Sequence, residues 1–298
     1  MNFLKIALPI LFFNLFQNAG LMSAPVAGPK GEIIDEERNL KILSWNIYML
    51  PLLAPNANHR LDRAHAIVGE LKNKDFDIIV FEEAFLPAAR KIILAGLGSE
   101  YQFRYGPVNN TPNIKSNGGV WVLSKVKMNI VKTIQFKECA TWDCLVRKGA
   151  MLLEGNWNGK PFQLMGTHLQ ADEYQNVRYK QMDEIYMELL APFRREGVPQ
   201  LVCGDMNTEV EIKERYCAML DCFGAENGEI SGIEKCTYDG CNNNLAQNFG
   251  VKNKTTYDYI LVRNNGIRIK SVKRFVSVLK KGKKYLSDHY GIVCELKF

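Results

Sequence analysis

The sequence predicts an α/β protein in which two β-sheets pack together and helices cover their outer faces. An apolar run at 41–46, helical spacing at 60–72 and a second apolar run at 77–81 give a strand, a helix and a strand in succession. That order is typical of a layered α/β architecture. Shorter apolar runs then follow at close spacing, which predicts antiparallel hairpins. They lie at 102–105, 119–123, 130–136, 150–154 and 162–167.

The helices of the first half are predicted from the spacing of their apolar residues. Between residues 60 and 72, apolar side chains recur three and four positions apart, so that they share one face of a helix. They are Leu61, Ala64, Ile67, Val68 and Leu71. A second helix is predicted at 86–97, directly after the strand at 77–81.

The second half continues the alternation of helices and strands. A long helix is predicted at 173–195, with Val177, Met182, Ile185, Leu189 and Leu190 facing inward. A strand at 200–203 and a helix at 212–220 follow. The remaining strands are predicted at 257–262, 267–278 and 291–298. The composition does not change along the chain, which favours one domain over two.

The N-terminus has the pattern of a secretory signal peptide. Lys5 precedes an apolar run at 6–16, and small residues follow at 19–24. The run is shorter than the ~20 apolar residues that a membrane-spanning helix needs. We therefore expect a signal peptide at 1–24, cleaved between about residues 19 and 24, a lead-in segment at 25–38 and a folded domain at 39–298. Export to the medium or to a periplasm would follow.

Charge and size limit the classes of partner. The chain has 298 residues, of which 47% are hydrophobic, so it can bury a large core. Its formal net charge of +6 favours an anionic partner, such as a nucleic acid or a phospholipid surface. A value of this size is also compatible with ordinary solubility charge.

The eight cysteines fit an exported protein. Three pairs are close in sequence, which predicts one or more local disulfides without fixing their connectivity. These pairs are Cys139 and Cys144, Cys217 and Cys222, and Cys236 and Cys241. Cys203 and Cys294 lie in apolar runs and are expected to be buried thiols. The chain has neither a CxxC nor an HxxxH pattern, so a zinc site is not expected.

Polar residues recur where the predicted apolar strands end or begin. Taken singly, each is explained as a turn former or a surface residue. Taken together, and if they meet at one edge of the sheets, they supply the oxygen and imidazole groups that suit a hard divalent cation and a phosphate. The residues are Asn46, Glu83, His168, Asp205, Asn207, Asp258, Asp288 and His289.

These residues lie in motifs that resemble those of the DNase-I-like superfamily of endonucleases, exonucleases and phosphatases. The resemblance runs from about residue 40 to the C-terminus, and it is closest to secreted bacterial and neutral sphingomyelinases. It is carried by SWNIYMLP at 44–51, FEEAF at 81–85, DCLVRKG at 143–149, GTHLQAD at 166–172, GDMN at 204–207 and SDHY at 287–290. It implies a four-layer αββα sandwich of two mixed β-sheets flanked by helices. It also implies a secreted, Mg²⁺-dependent hydrolase that cleaves sphingomyelin to ceramide and phosphocholine, with Mn²⁺ or Co²⁺ as substitutes for Mg²⁺.

The same resemblance implies a role for each matching residue. Glu83 and Asn46 are the metal ligands, His289 is the general base, and Asp288 holds its imidazole. Asp205 assists the leaving group and Asn207 stabilises the negative charge of the phosphorane. His168 contacts a phosphate oxygen, and Asp258 orients it or the metal-bound water. Lys148 adds a positive charge near the phosphodiester and is coupled to Asp143. His59 and His65 match no motif and are expected at the surface or in packing contacts.

The chain departs from the resemblance before its final strand. Secreted bacterial sphingomyelinases carry a hairpin with exposed Trp and Phe there, whereas this chain has a shorter stretch with four lysines between 280 and 284. Lysines near an anionic membrane contribute roughly 1 kcal/mol each, and a solvated hairpin tip explains them equally well. The departure leaves room for another phospholipid substrate.

Three hypotheses remain open from the sequence. The first is a sphingomyelinase C acting on a phospholipid at a membrane surface, and its nearest alternative is a phospholipase C-like enzyme. The second is a metal-dependent nuclease of the same superfamily. Nucleic acid is the less expected partner, because Lys rather than Arg dominates the late basic cluster. The third is a catalytically silent binding protein, which predicts the loss of site residues, yet every motif residue is present.

Overall fold

The structure is a computed structural model that describes residues 38–51, 59–72, 74–111, 114–250 and 252–298. The predicted signal peptide at 1–24 lies outside the described residues, as does the lead-in segment at 25–38 except for its last residue. Within the described part of the chain, no helix is both long and apolar enough to cross a membrane.

The described elements follow the order that the sequence predicts. The helices are α1 (Arg60–Leu71), α2 (Pro87–Leu97), α3 (Gln175–Ile185) and α4 (Lys213–Phe223). The earlier strands are β1 (Leu40–Asn46), β2 (Ile78–Glu82), β3 (Phe103–Tyr105), β4 (Trp121–Ser124), β5 (Met128–Gln135), β6 (Gly149–Trp157), β7 (Lys160–His168) and β8 (Gln200–Asp205). The later strands are β9 (Ile230–Ser231), β10 (Tyr238–Asp239), β11 (Lys254–Thr255), β12 (Asp258–Arg263), β13 (Ser271–Ser277), β14 (Lys280–Lys281), β15 (Lys284–Tyr285) and β16 (Gly291–Lys297).

Two large mixed sheets carry the fold. The first has the strand order β3-β4-β2-β1-β16-β13-β9, and the second has the order β12-β8-β7-β6-β5. In the first sheet β1 runs parallel to β2 and antiparallel to β16. In the second sheet β7 runs parallel to β8, while β12 runs antiparallel to β8.

Three apolar layers show that the architecture is αββα. Because side chains alternate along a strand, Ile42 of β1 packs between the two sheets, while Leu43 and Trp45 pack toward α1 and α2. In the second sheet Leu164 of β7 joins the layer between the sheets, and Met165 packs toward α3 and α4. The predicted four-layer sandwich is therefore confirmed.

The predicted long helix at 173–195 is wrong in its second half. The α-helix ends at Ile185, and one π-helical turn, Tyr186–Leu190, follows it. Pro192 has no N–H to donate to the carbonyl of a preceding turn, so the helix cannot continue through it. The predicted strand at 267–278 is also shorter, as β13 begins only at Ser271.

The cysteines are only partly paired. Cys139 and Cys144 form a disulfide, which confirms the expectation of at least one local bridge. Cys203 and Cys294 are buried free thiols, as predicted. The other two local pairs, Cys217 with Cys222 and Cys236 with Cys241, are free cysteines.

Candidate active site

Sheet register brings the predicted polar residues to one edge of the second sheet. His168 at the end of β7 lies beside Asp205 at the end of β8, and Asp258 at the start of β12 lies beside Asp205 on its other side. Asn46 ends β1 of the opposite sheet, and its Nδ2 donates to Asp205 Oδ2 at 3.0 Å. All four residues are buried. The site is therefore built across the junction of the two sheets.

Asp205 is the residue that the other groups share. Its Oδ2 lies 3.6 Å from His168 Nε2 and 3.8 Å from His289 Nε2, and its Oδ1 accepts the backbone N–H of Asn207 at 2.9 Å. Burial alone would raise the pKa of this carboxyl, but the two imidazoles and these donors hold it below its usual range. Asp205 is thus an ionised acceptor at the centre of the site.

The His289 imidazole is held by Asp258. Nδ1 of His289 lies 2.8 Å from Asp258 Oδ2. Burial by itself would lower the pKa of His289, but the carboxylates of Asp258 and Asp205 raise it well above its usual value. The pKa of Asp258 is raised to about 6 by burial, against the opposing effect of His289. This pair leaves the opposite ring nitrogen, Nε2, directed toward Asp205.

The prediction that Asp288 holds the His289 imidazole is therefore wrong. Ser287 Oγ lies 3.0 Å from Asp288 Oδ1 and 2.6 Å from the backbone carbonyl oxygen of Asn46, so its one hydroxyl proton is shared between these two acceptors. Adjacent residues at a strand start point in different directions, whereas a residue on the neighbouring sheet can face the ring. Asp258 Oδ2 therefore holds the position beside Nδ1 that the resemblance implied for Asp288. The implied role of Asp258 toward a phosphate oxygen or metal-bound water stays a prediction, and its Oδ1 has no partner among the described residues.

Glu83 presents an unsatisfied carboxylate oxygen to the site. It follows β2 with a left-handed backbone (φ 52°), and its Oε2 is buried without a hydrogen-bond partner among the described residues. Burial, reinforced by the negative charge of Asp288, raises the pKa of Glu83 to about 8. A buried carboxylate oxygen that lacks a donor fits a hard cation such as Mg²⁺. Asn46 hydrogen-bonds to Glu83 and lies beside it as predicted.

A second group of ligand atoms lies next to this position. Carboxylate oxygens of Asp205 and Asp258 and a ring nitrogen of His289 lie within 4.8 Å of one another. Oxygen and imidazole ligands of this kind also suit divalent cations. The donor set is therefore compatible with a divalent cation on either side of Asn46.

His168, Lys148 and Asp143 form a buried chain beside Asp205. Lys148 Nζ lies 2.7 Å from Asp143 Oδ2, 3.1 Å from His168 Nε2 and 2.8 Å from the Leu169 carbonyl. Burial and the adjacent ammonium lower the pKa of His168 to about 3, so its ring is neutral. Because an ammonium can only donate, Nε2 accepts and the ring proton lies on Nδ1. Nδ1 has no partner within the described part of the chain.

Asp143 and Asn207 are fixed by backbone contacts. Asp143 Oδ2 also accepts the Ala171 N–H at 2.8 Å, and although burial opposes it, the Lys148 ammonium holds the pKa of Asp143 below its usual range. Asn207 has a left-handed backbone (φ 46°), and its Nδ2 donates to the Leu169 carbonyl at 3.1 Å. All ten predicted site residues therefore belong to one connected region.

Comparison with known proteins identifies the family. The model of the Endonuclease/Exonuclease/phosphatase family matches residues 43–289. The chain belongs to the Endonuclease/Exonuclease/phosphatase family. This confirms the superfamily resemblance that the sequence motifs indicated.

Individual proteins resemble the chain over most of its length. Sphingomyelinase C of Leptospira interrogans is 29% identical over 277 residues, which cover 84% of this chain and 49% of that protein. Sphingomyelinase C of Bacillus cereus is 26% identical over 308 residues, covering 88% and 90% of the two chains. The chain thus spans about half the length of the Leptospira relative.

Solved structures of other proteins confirm the fold. A crystal structure of beta toxin from Staphylococcus aureus superposes on this chain with a TM-score of 0.76 at 24% sequence identity. The superposition covers 86% of this chain and 99% of that one. A second beta toxin structure, which holds bound magnesium ions, gives a TM-score of 0.75 over the same coverage.

Sequence reasoning missed Thr237, and it offered Tyr238 only as a candidate residue of a head-group pocket. Thr237 Oγ1 accepts the backbone N–H groups of Tyr257 and Asp258 at 3.1 and 3.2 Å. Its neighbour Tyr238 packs edge-on against the His289 ring, with centroids 5.3 Å apart. Both lie in a segment without a strong periodic pattern, so only long-range contacts reveal them.

Two further supports come from buried charged residues. Arg63 of α1 donates to the carbonyls of Ile47 and Leu286 at 3.0 and 2.9 Å, which ties the loop after β1 to the segment before Ser287. Glu82 is fully buried, accepts the Ser44 hydroxyl at 2.8 Å, and has a pKa raised well above its usual value by burial. Nothing in the sequence marked these two residues as part of the site, because Arg63 lies within a predicted helix and Glu82 stands next to Glu83.

His59 and His65 are exposed, as expected.

Proposed function

We propose that this protein is a Mg²⁺-dependent sphingomyelin phosphodiesterase that hydrolyses sphingomyelin to ceramide and phosphocholine. The observation that carries the proposal is the His289–Asp258 pair, which faces Asp205 beside the unsatisfied Glu83 carboxylate. This arrangement supplies a base, an acceptor and a metal ligand within one buried edge. The resemblance to sphingomyelinases C from two bacterial sources supports the choice of substrate.

Glu83 and Asn46 would hold the cation. Mg²⁺ takes few protein ligands and keeps several waters, so one carboxylate with a neighbouring amide oxygen suffices. When bound, the ion supplies Lewis-acid stabilisation of the phosphoryl oxygens. Mn²⁺ and Co²⁺ are expected to substitute, since both accept oxygen ligands in a similar geometry. The magnesium-containing beta toxin structure supports this assignment by fold.

His289 acts as the general base. It can take a proton only as neutral imidazole, and a cation held by Glu83 would lower the pKa of His289 toward that state. Nε2 then accepts a proton from the attacking water, while Asp258 stabilises the imidazolium that forms through Nδ1. The water oxygen bonds to phosphorus, and the bond to the ceramide oxygen breaks.

The remaining residues bind and stabilise the phosphoryl group. His168 would contact a phosphate oxygen, and Lys148, whose Nζ lies 3.1 Å from His168 Nε2, would supply positive charge beside it. Asn207 would stabilise the negative charge of the phosphorane. Asp205 would assist the leaving group, and the departing ceramide oxygen takes a proton from solvent water to become the ceramide hydroxyl. Asp288 contributes negative charge beside Glu83 and so favours cation binding.

Export through the N-terminal signal peptide at 1–24 is part of the proposal. The Cys139–Cys144 disulfide supports an oxidising compartment, because such bridges are rare in the cytosol. The substrate would then be met at a membrane surface. The basic hairpin of β14 and β15 exposes Lys281, Lys283 and Lys284, which suits contact with anionic head groups.

One assay separates this function from its alternatives. Purified protein is offered sphingomyelin, phosphatidylcholine and plasmid DNA, with Mg²⁺ and with a chelator. We expect Mg²⁺-dependent release of phosphocholine from sphingomyelin, and a loss of about 10³-fold or more in His289→Ala. Preferred cleavage of phosphatidylcholine would indicate a phospholipase C-like enzyme. Nicking of DNA with intact lipid would contradict the proposal.

A further inference from the structure

Three large apolar side chains are exposed on two adjoining segments next to the candidate active site. Trp142 is 76% exposed, Leu145 is 58% exposed and Ile114 is fully exposed. The two segments are joined by backbone hydrogen bonds from Ser116 N–H to the Leu145 carbonyl at 3.2 Å and from Arg147 N–H to the Ser116 carbonyl at 3.1 Å. We call this surface the apolar turn. Grouped exposure of this kind is typical of an interaction surface.

The apolar turn is held rigidly. A 3₁₀-helix, Thr141–Leu145, carries Trp142 and Leu145, and the Cys139–Cys144 disulfide closes it. The buried Gln170 side chain accepts the Ala140 N–H at 2.8 Å and donates to the Ala140 carbonyl at 3.2 Å. The apolar side chains are therefore presented outward by a fixed frame, which lowers the entropic cost of binding.

The frame is continuous with the active site. Asp143 lies between Trp142 and the disulfide, and its carboxylate holds Lys148, whose Nζ is 3.1 Å from His168. Trp142 is thus next in sequence to the carboxylate that holds Lys148, the residue that the proposed function places beside the phosphodiester. The basic hairpin, β14–β15, leads by a few residues into Ser287 and His289. The apolar turn, by contrast, is connected to the active site through the contacts from Asp143 to Lys148 and from Lys148 to His168.

The geometry points to a lipid bilayer as the occupant of the apolar turn, with Trp142, Leu145 and Ile114 entering the membrane interface. This inference rests on the proposed function, because a lipid substrate places a bilayer at the mouth of the site. Trp suits the boundary between head groups and acyl chains, and Leu and Ile suit its apolar side. Apolar contact does not require anionic lipid, so the turn would bind zwitterionic membranes to which the lysines of the hairpin have little attraction.

Vesicle binding without turnover tests the inference. Sucrose-loaded vesicles of sphingomyelin and phosphatidylcholine are sedimented with the full chain in chelator, so that the lipid stays intact. The double variant Trp142→Ser/Leu145→Ser should bind about tenfold or more weakly, the loss expected when large apolar side chains no longer leave water. The matched control is Met187→Ser/Ile233→Ser, which removes two exposed apolar side chains elsewhere (66% and 103% exposed) and should bind as the parent does.

Two additional readouts keep the outcomes distinct. Brominated lipid should quench the tryptophan fluorescence of the parent more than that of Trp142→Phe, and thermal unfolding should show that all variants fold. With Mg²⁺, a short-chain sphingomyelin dissolved as monomers should be cleaved equally by the parent and the double variant. Failure of the parent on this soluble substrate would refute the proposed function without touching the vesicle comparison.

Equal vesicle binding by the parent and the double variant would overturn the inference. So would sedimentation equilibrium that shows a dimer of the parent and a monomer of the double variant with unchanged vesicle binding. That result would assign the apolar turn to contact between two copies of the chain.

Discussion

Asp258 Oδ2 lies 2.8 Å from Nδ1 of His289, although 31 residues separate them in the sequence. The carboxylate next to His289 in sequence, Asp288, binds the Ser287 hydroxyl instead. The two carboxylates therefore have different tasks: Asp258 stabilises the charged imidazole, while Asp288 adds negative charge beside Glu83.

Replacing each carboxylate by its amide should separate these tasks. Asp258→Asn removes the charge that stabilises the imidazolium, so kcat should fall by about 10³-fold with little change in the Mg²⁺ concentration for half-activity. Asp288→Asn removes charge near the metal ligand, so mainly the Mg²⁺ dependence should change. Steady-state kinetics across Mg²⁺ concentrations check both. If Asp288→Asn lowered kcat at saturating Mg²⁺ more than Asp258→Asn does, the residue that orients His289 would be Asp288.

Removal of the metal should make stability depend on the ionisation of Glu83. Burial raises the pKa of Glu83 to about 8, against an unperturbed value of 4.5. Below about pH 4.5 the group is protonated in both states and contributes nothing. Between about pH 4.5 and 8 the unfolded state releases the proton while the folded state keeps it, so stability falls as pH rises.

Thermal unfolding in chelator across that pH range, for the parent and for Glu83→Gln, measures this contribution. The glutamine variant should lose less stability with rising pH, because it has no carboxyl to ionise. Other titrating groups are common to both proteins and cancel in the difference. If the melting temperatures of the two proteins depended on pH in the same way, the folded structure would not disfavour the ionised form of Glu83.

Mg²⁺ should stabilise the parent against unfolding but not Glu83→Gln. A ligand that binds only the folded state at 100 times its Kd adds about 2.7 kcal/mol to the free energy of unfolding. The melting temperature should therefore rise on titration with Mg²⁺, and Asn46→Ala should require more Mg²⁺ for the same rise. An equal rise in Glu83→Gln would place the ion elsewhere, such as at Asp205, Asp258 and His289.

Lys148→Met should impair phosphodiester cleavage and change the titration of His168. Loss of the ammonium removes positive charge beside the phosphate, so kcat/KM should fall by about 10²-fold. The pKa of His168 should rise, because Lys148 is one cause of its low value, after burial. Lys180→Met is the matched control, since Lys180 pairs with Glu138 on the exposed surface. Kinetics and imidazole NMR measure the two effects, and unchanged kcat/KM would remove Lys148 from the site.

The sequence predicted residues at the ends of strands well and contacts between strands poorly. Glu83, His168 and Asp205 each follow an apolar run, so local pattern located them. The partner of His289 depends on the antiparallel register of β12 and β8, which sets Asp258 beside Asp205. No local signal encodes that register.

The buried residues that support the site could not be predicted from the sequence for the same reason. Thr237 acts through its hydroxyl, which accepts two backbone N–H groups from a segment about 20 residues later in the chain. The end of α3 was mispredicted because apolar spacing continues through the π-helical turn to Leu190. Periodicity records which face is buried, and it does not separate an α-helical turn from a π-helical one.

The pairing of β1 with β16 joins Ser44 to Ile292, almost the full described chain apart. Contacts between such distant segments form late and slow the folding of a chain. Asn46 and His289 flank this pairing, so ligand and base reach each other only once it closes. Activity that depends on this site therefore cannot begin before β16 has been synthesised and has paired with β1.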